Sequence, residues 1–241
     1  MGSRVERSIY RPDSGSYGAV ISLVPKPDSG CPQPSDPLRI LCVGAHSDDI
    51  EIGCGGTVLR LLAERPGSTV DWVVLSASPE REREARASAQ DFLVGAAGSQ
   101  VWVEHFQESF FPAHWTAIKQ FLETVRRATE PDLILCHRQH DRHQDHRVVA
   151  ELAWNTFRNH LIWEYEIPKY EGDLGQPNLF VPLSAAQAER KVQLLMEHFA
   201  TQAQRSWFRP DTFHGLMSIR GVECAAKDGR AEAFHAAKLV V

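Results

Sequence analysis

From residue 39 onward the chain alternates two hydrophobic rhythms. Residues 40–43, 70–75, 101–103 and 133–135 are short runs rich in Val, Ile, Leu and Trp, with the composition and length of buried strands. Between them, residues 57–63, 80–94 and 113–127 read as helices, the last with Trp115, Ile118, Phe121, Leu122 and Val125 on one apolar face. Four such repeats in about 100 residues predict an α/β fold with a mostly parallel, doubly wound sheet. The pattern then predicts a helix over 147–160, a strand over 162–167, a loop over 168–177, a strand-like run over 179–183 and a helix over 185–200. Residues 208–241 show no readable rhythm. Pro12, Pro25, Pro27, Pro32, Pro34 and Pro37, set among Gly and Ser, resist regular structure. The expected organisation is an arm over 1–38 and one domain over 39–241.

Composition narrows the function classes. With 43% hydrophobic and 24% charged residues the chain has the balance of a globular protein, which excludes collagen-like, disordered and coiled-coil classes. Acidic residues outnumber basic ones by 31 to 26, the formal net charge is -5, and no Lys or Arg cluster offers a footprint for phosphate backbones. No nucleic-acid partner is expected. No apolar run approaches the roughly 18 residues of a membrane span, and the start lacks an apolar stretch of signal length, so a cytoplasmic location is expected. Cys31, Cys42, Cys54, Cys136 and Cys224 are scattered and show no C-x-x-C spacing, which predicts reduced thiols and no cysteine zinc knuckle.

The candidate chemistry lies after two predicted strands. Gly44-Ala-His46-Ser-Asp48-Asp49-Ile-Glu51 follows the first, and His137-Arg-Gln-His140-Asp141-Arg-His143-Gln-Asp145-His146-Arg147 follows the fourth. In a doubly wound sheet both segments emerge at the carboxyl edge, where ligands bind. Imidazole and carboxylate are the ligands of catalytic zinc, which takes three protein groups and keeps a position for water. His46 and Asp49, three apart, can reach one ion and His146 can complete the set. Asp48 is then the spare carboxylate for a water proton, and His143 can stabilise an oxyanion or protonate a leaving amine. Any one of these residues is also explained as a turn former or helix cap, as Asp145 would be ahead of a helix starting near Arg147. Their grouping after two strand ends is not.

The segment Ala45-His46-Ser47-Asp48-Asp49-Ile50-Glu51 resembles the Ala-His-Pro-Asp-Asp signature of the PIG-L/LmbE-like N-acetylglucosaminyl deacetylase family. His143-Gln144-Asp145-His146 resembles its second signature, His-x-Asp-His. The similarity runs from about residue 39 through Arg81-x-x-Glu84-Ala85 to the second signature, and leaves out the arm. It implies a Rossmann-like three-layer fold and one zinc ion per chain held by His46, Asp49 and His146. It also implies Asp48 as general base, His143 as oxyanion donor or general acid with Asp145 orienting it, and Arg81 and Asp141 on the sugar substrate. The implied reaction is hydrolysis of the acetamide of a small, soluble N-acetylated sugar conjugate, and a homo-oligomer is plausible by the same resemblance. Ser47 stands where the family usually has proline, a change expected in loop stiffness and not in chemistry.

Two other classes compete. A zinc- or sugar-binding member without catalysis would have been free to lose Asp48 and His143, yet both are present. The glycines of Glu51-Ile-Gly53-Cys-Gly55-Gly56 superficially resemble the nucleoside turn of an S-adenosylmethionine-dependent methyltransferase, but they begin too far beyond the first strand. Close packing of the first helix on the sheet explains them better. No G-x-x-x-x-G-K-[ST] element is present, so a P-loop enzyme is excluded. Phe110, Phe111 and Trp115 could wall a pocket, although core packing suits Trp115, and the 168–177 loop is expected to shape one rim.

Overall fold

A computed structural model describes residues 36–238; the predicted arm lies almost wholly outside them. In chain order the elements are β1 (Arg39–His46), α1 (Asp49–Glu64), β2 (Thr69–Ser76), α2 (Pro79–Phe92), β3 (Gly98–Val103), α3 (Trp115–Ala128), β4 (Leu133–His137), α4 (Gln144–Thr156), β5 (Leu161–Tyr165), β6 (Leu179–Pro182), α5 (Ala185–His198), α6 (Pro210–Glu223) and β7 (Ala231–His235). The strands form one sheet in the order β3-β2-β1-β4-β5-β7-β6. The first five are mutually parallel, while β7 runs antiparallel to both of its neighbours. The predicted mostly parallel α/β sheet is therefore present.

Strand alternation splits the core into two layers. Ile40 and Cys42 of β1 pack with α1, α2, α5 and α6 on one face, while Leu41, Val43 and Ala45 pack with α3 and α4 on the other. Because helices cover both faces, the central strands are buried throughout and read in the sequence as continuous apolar runs. The chain crosses from one face to the other between β3 and β4, which makes the junction of β1 with β4 the topological switch point. His46 ends β1 and His137 ends β4, side by side at that crevice.

The C-terminal region without a readable rhythm supplies α6 and β7. Strand β7 is short and rich in Ala, with Glu232 buried at its second position, so its burial comes from neighbours and not from its own composition. Helix α1 begins at Asp49, eight residues before the predicted start, because Gly53, Gly55 and Gly56 are helical. A Cβ at Gly53 would strike the ring of Tyr165, one at Gly55 would meet Phe92, and one at Gly56 would meet Leu183 and Glu232. These glycines bring α1 close to the sheet and its neighbouring helices, and none forms a turn after β1. Cys42, Cys54, Cys136 and Cys224 are free thiols.

Candidate metal centre and catalytic site

Three donor atoms from the two signatures converge. His46 Nδ1 stands 3.3 Å from Asp49 Oδ2, His146 Nε2 stands 3.3 Å from His46 Nδ1, and His146 Nε2 stands 3.5 Å from Asp49 Oδ2. Ligands at about 2.0–2.1 Å in a tetrahedral site lie roughly 3.3–3.4 Å apart, so the triangle fits a small divalent ion. All three side chains are buried.

Each histidine of the triangle is held from behind by a carboxylate. Asp145 Oδ2 stands 3.1 Å from His46 Nε2, and Asp141 Oδ2 stands 3.0 Å from His146 Nδ1. Such partners fix the tautomer and leave the opposite nitrogen free for a metal. The sequence reading puts Asp145 on His143 and Asp141 on the sugar substrate. The Asp145 carboxylate does not touch His143; it orients His46 and accepts the backbone N–H groups of Ser109 (2.6 Å) and Phe111 (3.1 Å). The Asp141 oxygens are taken by His146, by the His143 N–H (2.8 Å) and by Lys169 Nζ (2.8 Å).

The charges follow from this arrangement. Burial opposes an imidazolium at His46, but Asp49 and Asp145 raise its pKa to about 10, so metal binding there must displace a proton. Burial also opposes the Asp49 carboxylate, yet His146, His137 and His46 hold it well below its ordinary value. His146 is pushed down to about 3 by burial and by the neighbouring His137, so its imidazole is neutral.

Asp48 precedes α1 and is buried beside the triangle, with Oδ1 accepting from Arg81 Nη2 at 3.0 Å. Burial and the adjacent Asp49 raise its carboxyl to about 6 against the pull of Arg81. Arg81 reaches the site from the first turn of α2, whose N-cap is Ser78, and its Nη1 meets Glu108 at 3.2 Å. His143 caps α4 by accepting the Asp145 N–H on Nδ1 (3.2 Å), which places the proton of its neutral form on Nε2. Burial and the charge on His46 lower its pKa, so the neutral N–H donor prevails.

His137 is a site residue for which sequence reasoning found no role. It is fully buried, accepts the Ala45 N–H on Nε2 (2.9 Å), stands 3.1 Å from Asp49 Oδ2 and stacks on His146 with ring centroids 3.9 Å apart. Two overlapping sets of donors lie within 4.8 Å of one another, His46 with His143 and His146, and Asp49 with His137 and His146. The available signal was its position as the last residue of β4, parallel to His46 at the end of β1. Phe111 is buried with its ring 6.0 Å from that of His46, whereas Phe110 and Trp115 are exposed, so Trp115 is not the core residue expected from the sequence.

Residues 41–157, which contain every residue of this site except Lys169, match the PIG-L family model, described as GlcNAc-PI de-N-acetylase. The chain carries a PIG-L family domain. Among solved structures, the conserved protein TT1542 of Thermus thermophilus is similar at 20% identity and a TM-score of 0.65, covering 85% of this chain and 96% of that one. The N,N'-diacetylchitobiose deacetylase of Pyrococcus horikoshii is similar at 19% identity and a TM-score of 0.65, covering 85% and 84%. The 4-carboxy-2-hydroxymuconate hydratase GalB of Pseudomonas putida is similar at 16% identity and a TM-score of 0.64, covering 85% and 98%. No curated protein matches. The neighbours establish that the PIG-L chain shares their fold, and since one of them is a hydratase, fold alone does not select the reaction. The family match supports a deacetylase. Among the described residues no helix is long and apolar enough to cross a membrane.

Proposed function

We propose that the protein is a zinc-dependent deacetylase that hydrolyses the N-acyl group of a glucosamine unit in a small sugar conjugate. The observation that carries this reading is the triangle of His46 Nδ1, Asp49 Oδ2 and His146 Nε2 with the raised Asp48 carboxyl beside it. The family description supports the reaction type. His46, Asp49 and His146 would hold the zinc ion, which would supply Lewis acidity for an amide carbonyl and lower the pKa of water to about 7.

The chain's own groups do the rest. Asp48 is the general base: burial raises its carboxyl above the ordinary carboxylate range, which makes it a better acceptor for a proton of the attacking water. Arg81 donates to Asp48 Oδ1 and so presents the other oxygen to that water. The Nε2–H of His143 donates to the oxyanion that forms as the carbonyl carbon becomes tetrahedral. When the C–N bond breaks, the proton taken by Asp48 passes to the leaving nitrogen, and the products are a carboxylate and a free amine. Arg81, which bridges Asp48 and Glu108, is the residue assigned to the sugar hydroxyls.

The test is release of free amine from a panel of N-acetylated sugars, sugar nucleotides and glycosides by zinc-loaded protein, with Asp48→Asn as the control. Release that disappears in the control is the expected result. Bound zinc with no release from any member would instead favour a non-catalytic binding protein, and release that survives in the control would remove Asp48 from the base role.

A further inference from the structure

Lys169, in the loop between β5 and β6, lies outside both signatures yet reaches the metal site. Its side chain is largely buried and the ammonium touches two carboxylates, Asp141 Oδ2 at 2.8 Å and Asp173 Oδ1 at 2.7 Å, and it also donates to the Ile167 carbonyl at 3.3 Å. Asp141 Oδ2 is the oxygen that faces His146 Nδ1. A continuous chain therefore runs from the loop, through Lys169 and Asp141, to His146. Asp173 fastens the same loop a second time to the segment that leads into the second signature, since its Oδ2 accepts the Arg142 N–H at 2.6 Å and its carbonyl accepts Arg138 Nη1 at 2.9 Å.

Without the ammonium, Asp141 and Asp173 would be two buried carboxylates facing each other across the space it fills, and their repulsion would part the loop from the signature. The Asp141 carboxylate would then lose the neighbour that keeps it aimed at His146. We propose that Lys169 is a positioning residue that couples the order of the 166–178 loop to metal binding at His146. The proposal rests on the metal-site reading above and extends it to a residue outside both signatures. Linkage requires the effect to be mutual: a metal on His146 steadies the loop, and a steady loop strengthens the metal site.

The test uses metal-free full-length protein titrated with Zn2+ against a chromophoric chelator, together with amide hydrogen exchange. Lys169→Met is expected to bind Zn2+ about 10- to 100-fold more weakly than the wild type, as losses of outer-shell partners do. Lys169→Arg, which keeps the charge, should recover part of that loss. In the wild type, Zn2+ should slow exchange across 166–178, and this protection should vanish in Lys169→Met. Zinc affinity of Lys169→Met within about threefold of the wild type overturns the proposal, being well short of the loss expected for an outer-shell partner. If that variant does not fold, the wild-type exchange decides: no zinc-dependent protection of 166–178 overturns it equally. A wild type that binds no zinc at all would overturn the metal-site reading itself, a result distinct from either.

Discussion

Asp145 Oδ2 lies 3.1 Å from His46 Nε2, on the side of the imidazole opposite the nitrogen that faces Asp49 and His146. The carboxylate thus serves His46, a proposed metal ligand, while the backbone N–H of Asp145 serves His143. The same residue also ties down Ser109 and Phe111, so it holds the loop after β3 against the site. Asp145→Asn should weaken metal binding about 10- to 100-fold. Metal content and zinc competition measure this, and a variant with wild-type affinity but reduced turnover would return Asp145 to a role on His143.

Asp48→Asn should keep the metal and lose activity. The substitution preserves shape and the contact with Arg81 Nη2 but removes the proton acceptor, so kcat should fall roughly 10²- to 10⁴-fold with one metal still bound per chain. The combined readout of kcat and metal stoichiometry separates a lost base from a damaged site.

Helix α1, which carries Asp49, is clamped from below by a buried ion pair. Glu232 of β7 accepts the N–H groups of Gly56 (2.9 Å) and Thr57 (2.6 Å), and Lys191 of α5 bridges Glu232 Oε1 and the Ile52 carbonyl at 2.6 Å each. Removing one partner leaves a buried charge uncompensated, so Lys191→Met should destabilise the fold by about 3–5 kcal/mol. Denaturant unfolding of the metal-free protein measures the loss.

Glu166 introduces a pH dependence of stability away from the metal site. Burial opposes its charge, but His235, Arg220 (2.9 Å to each oxygen) and the Gly175 N–H (3.1 Å) hold its carboxyl below the ordinary value. An acid with a depressed folded pKa stabilises fully above its unfolded pKa, near about 4.3, and loses that contribution as pH falls through the folded value. Glu166→Gln should therefore be less stable at neutral pH and show a shallower loss of stability below about pH 4.3. Unfolding curves at a series of pH values check this, and parallel curves for the two proteins would refute it.

Gly53 tests the reason for the glycines in α1. A Cβ there would overlap the ring of Tyr165, whose hydroxyl donates to the Val43 carbonyl at 2.7 Å. Despite alanine's better helix propensity, Gly53→Ala should cost about 1–3 kcal/mol through forced displacement of that ring. Thermal unfolding of the two proteins compares them directly.

Much of this protein was determined by sequence alone, because it was written locally. The parallel strands are buried on both faces and so appear as apolar runs, and the reactive side chains directly follow two of them, which is sufficient to place His46, Asp48, Asp49, His143 and His146 at one edge. Tertiary structure decided which groups stand behind the histidines. Asp141 and Asp145 sit in the same short segment, and nothing in their spacing says that one turns to His146 and the other crosses to His46, 99 residues away in sequence. Lys169 and His137 were silent for the same reason, since a lysine in a loop and a histidine ending a strand acquire meaning only from what is packed beside them. Strand β7 was unreadable because its stability is supplied by pairing with β5 and β6 and by the buried Glu232–Lys191 contact, neither of which leaves a local hydrophobic rhythm.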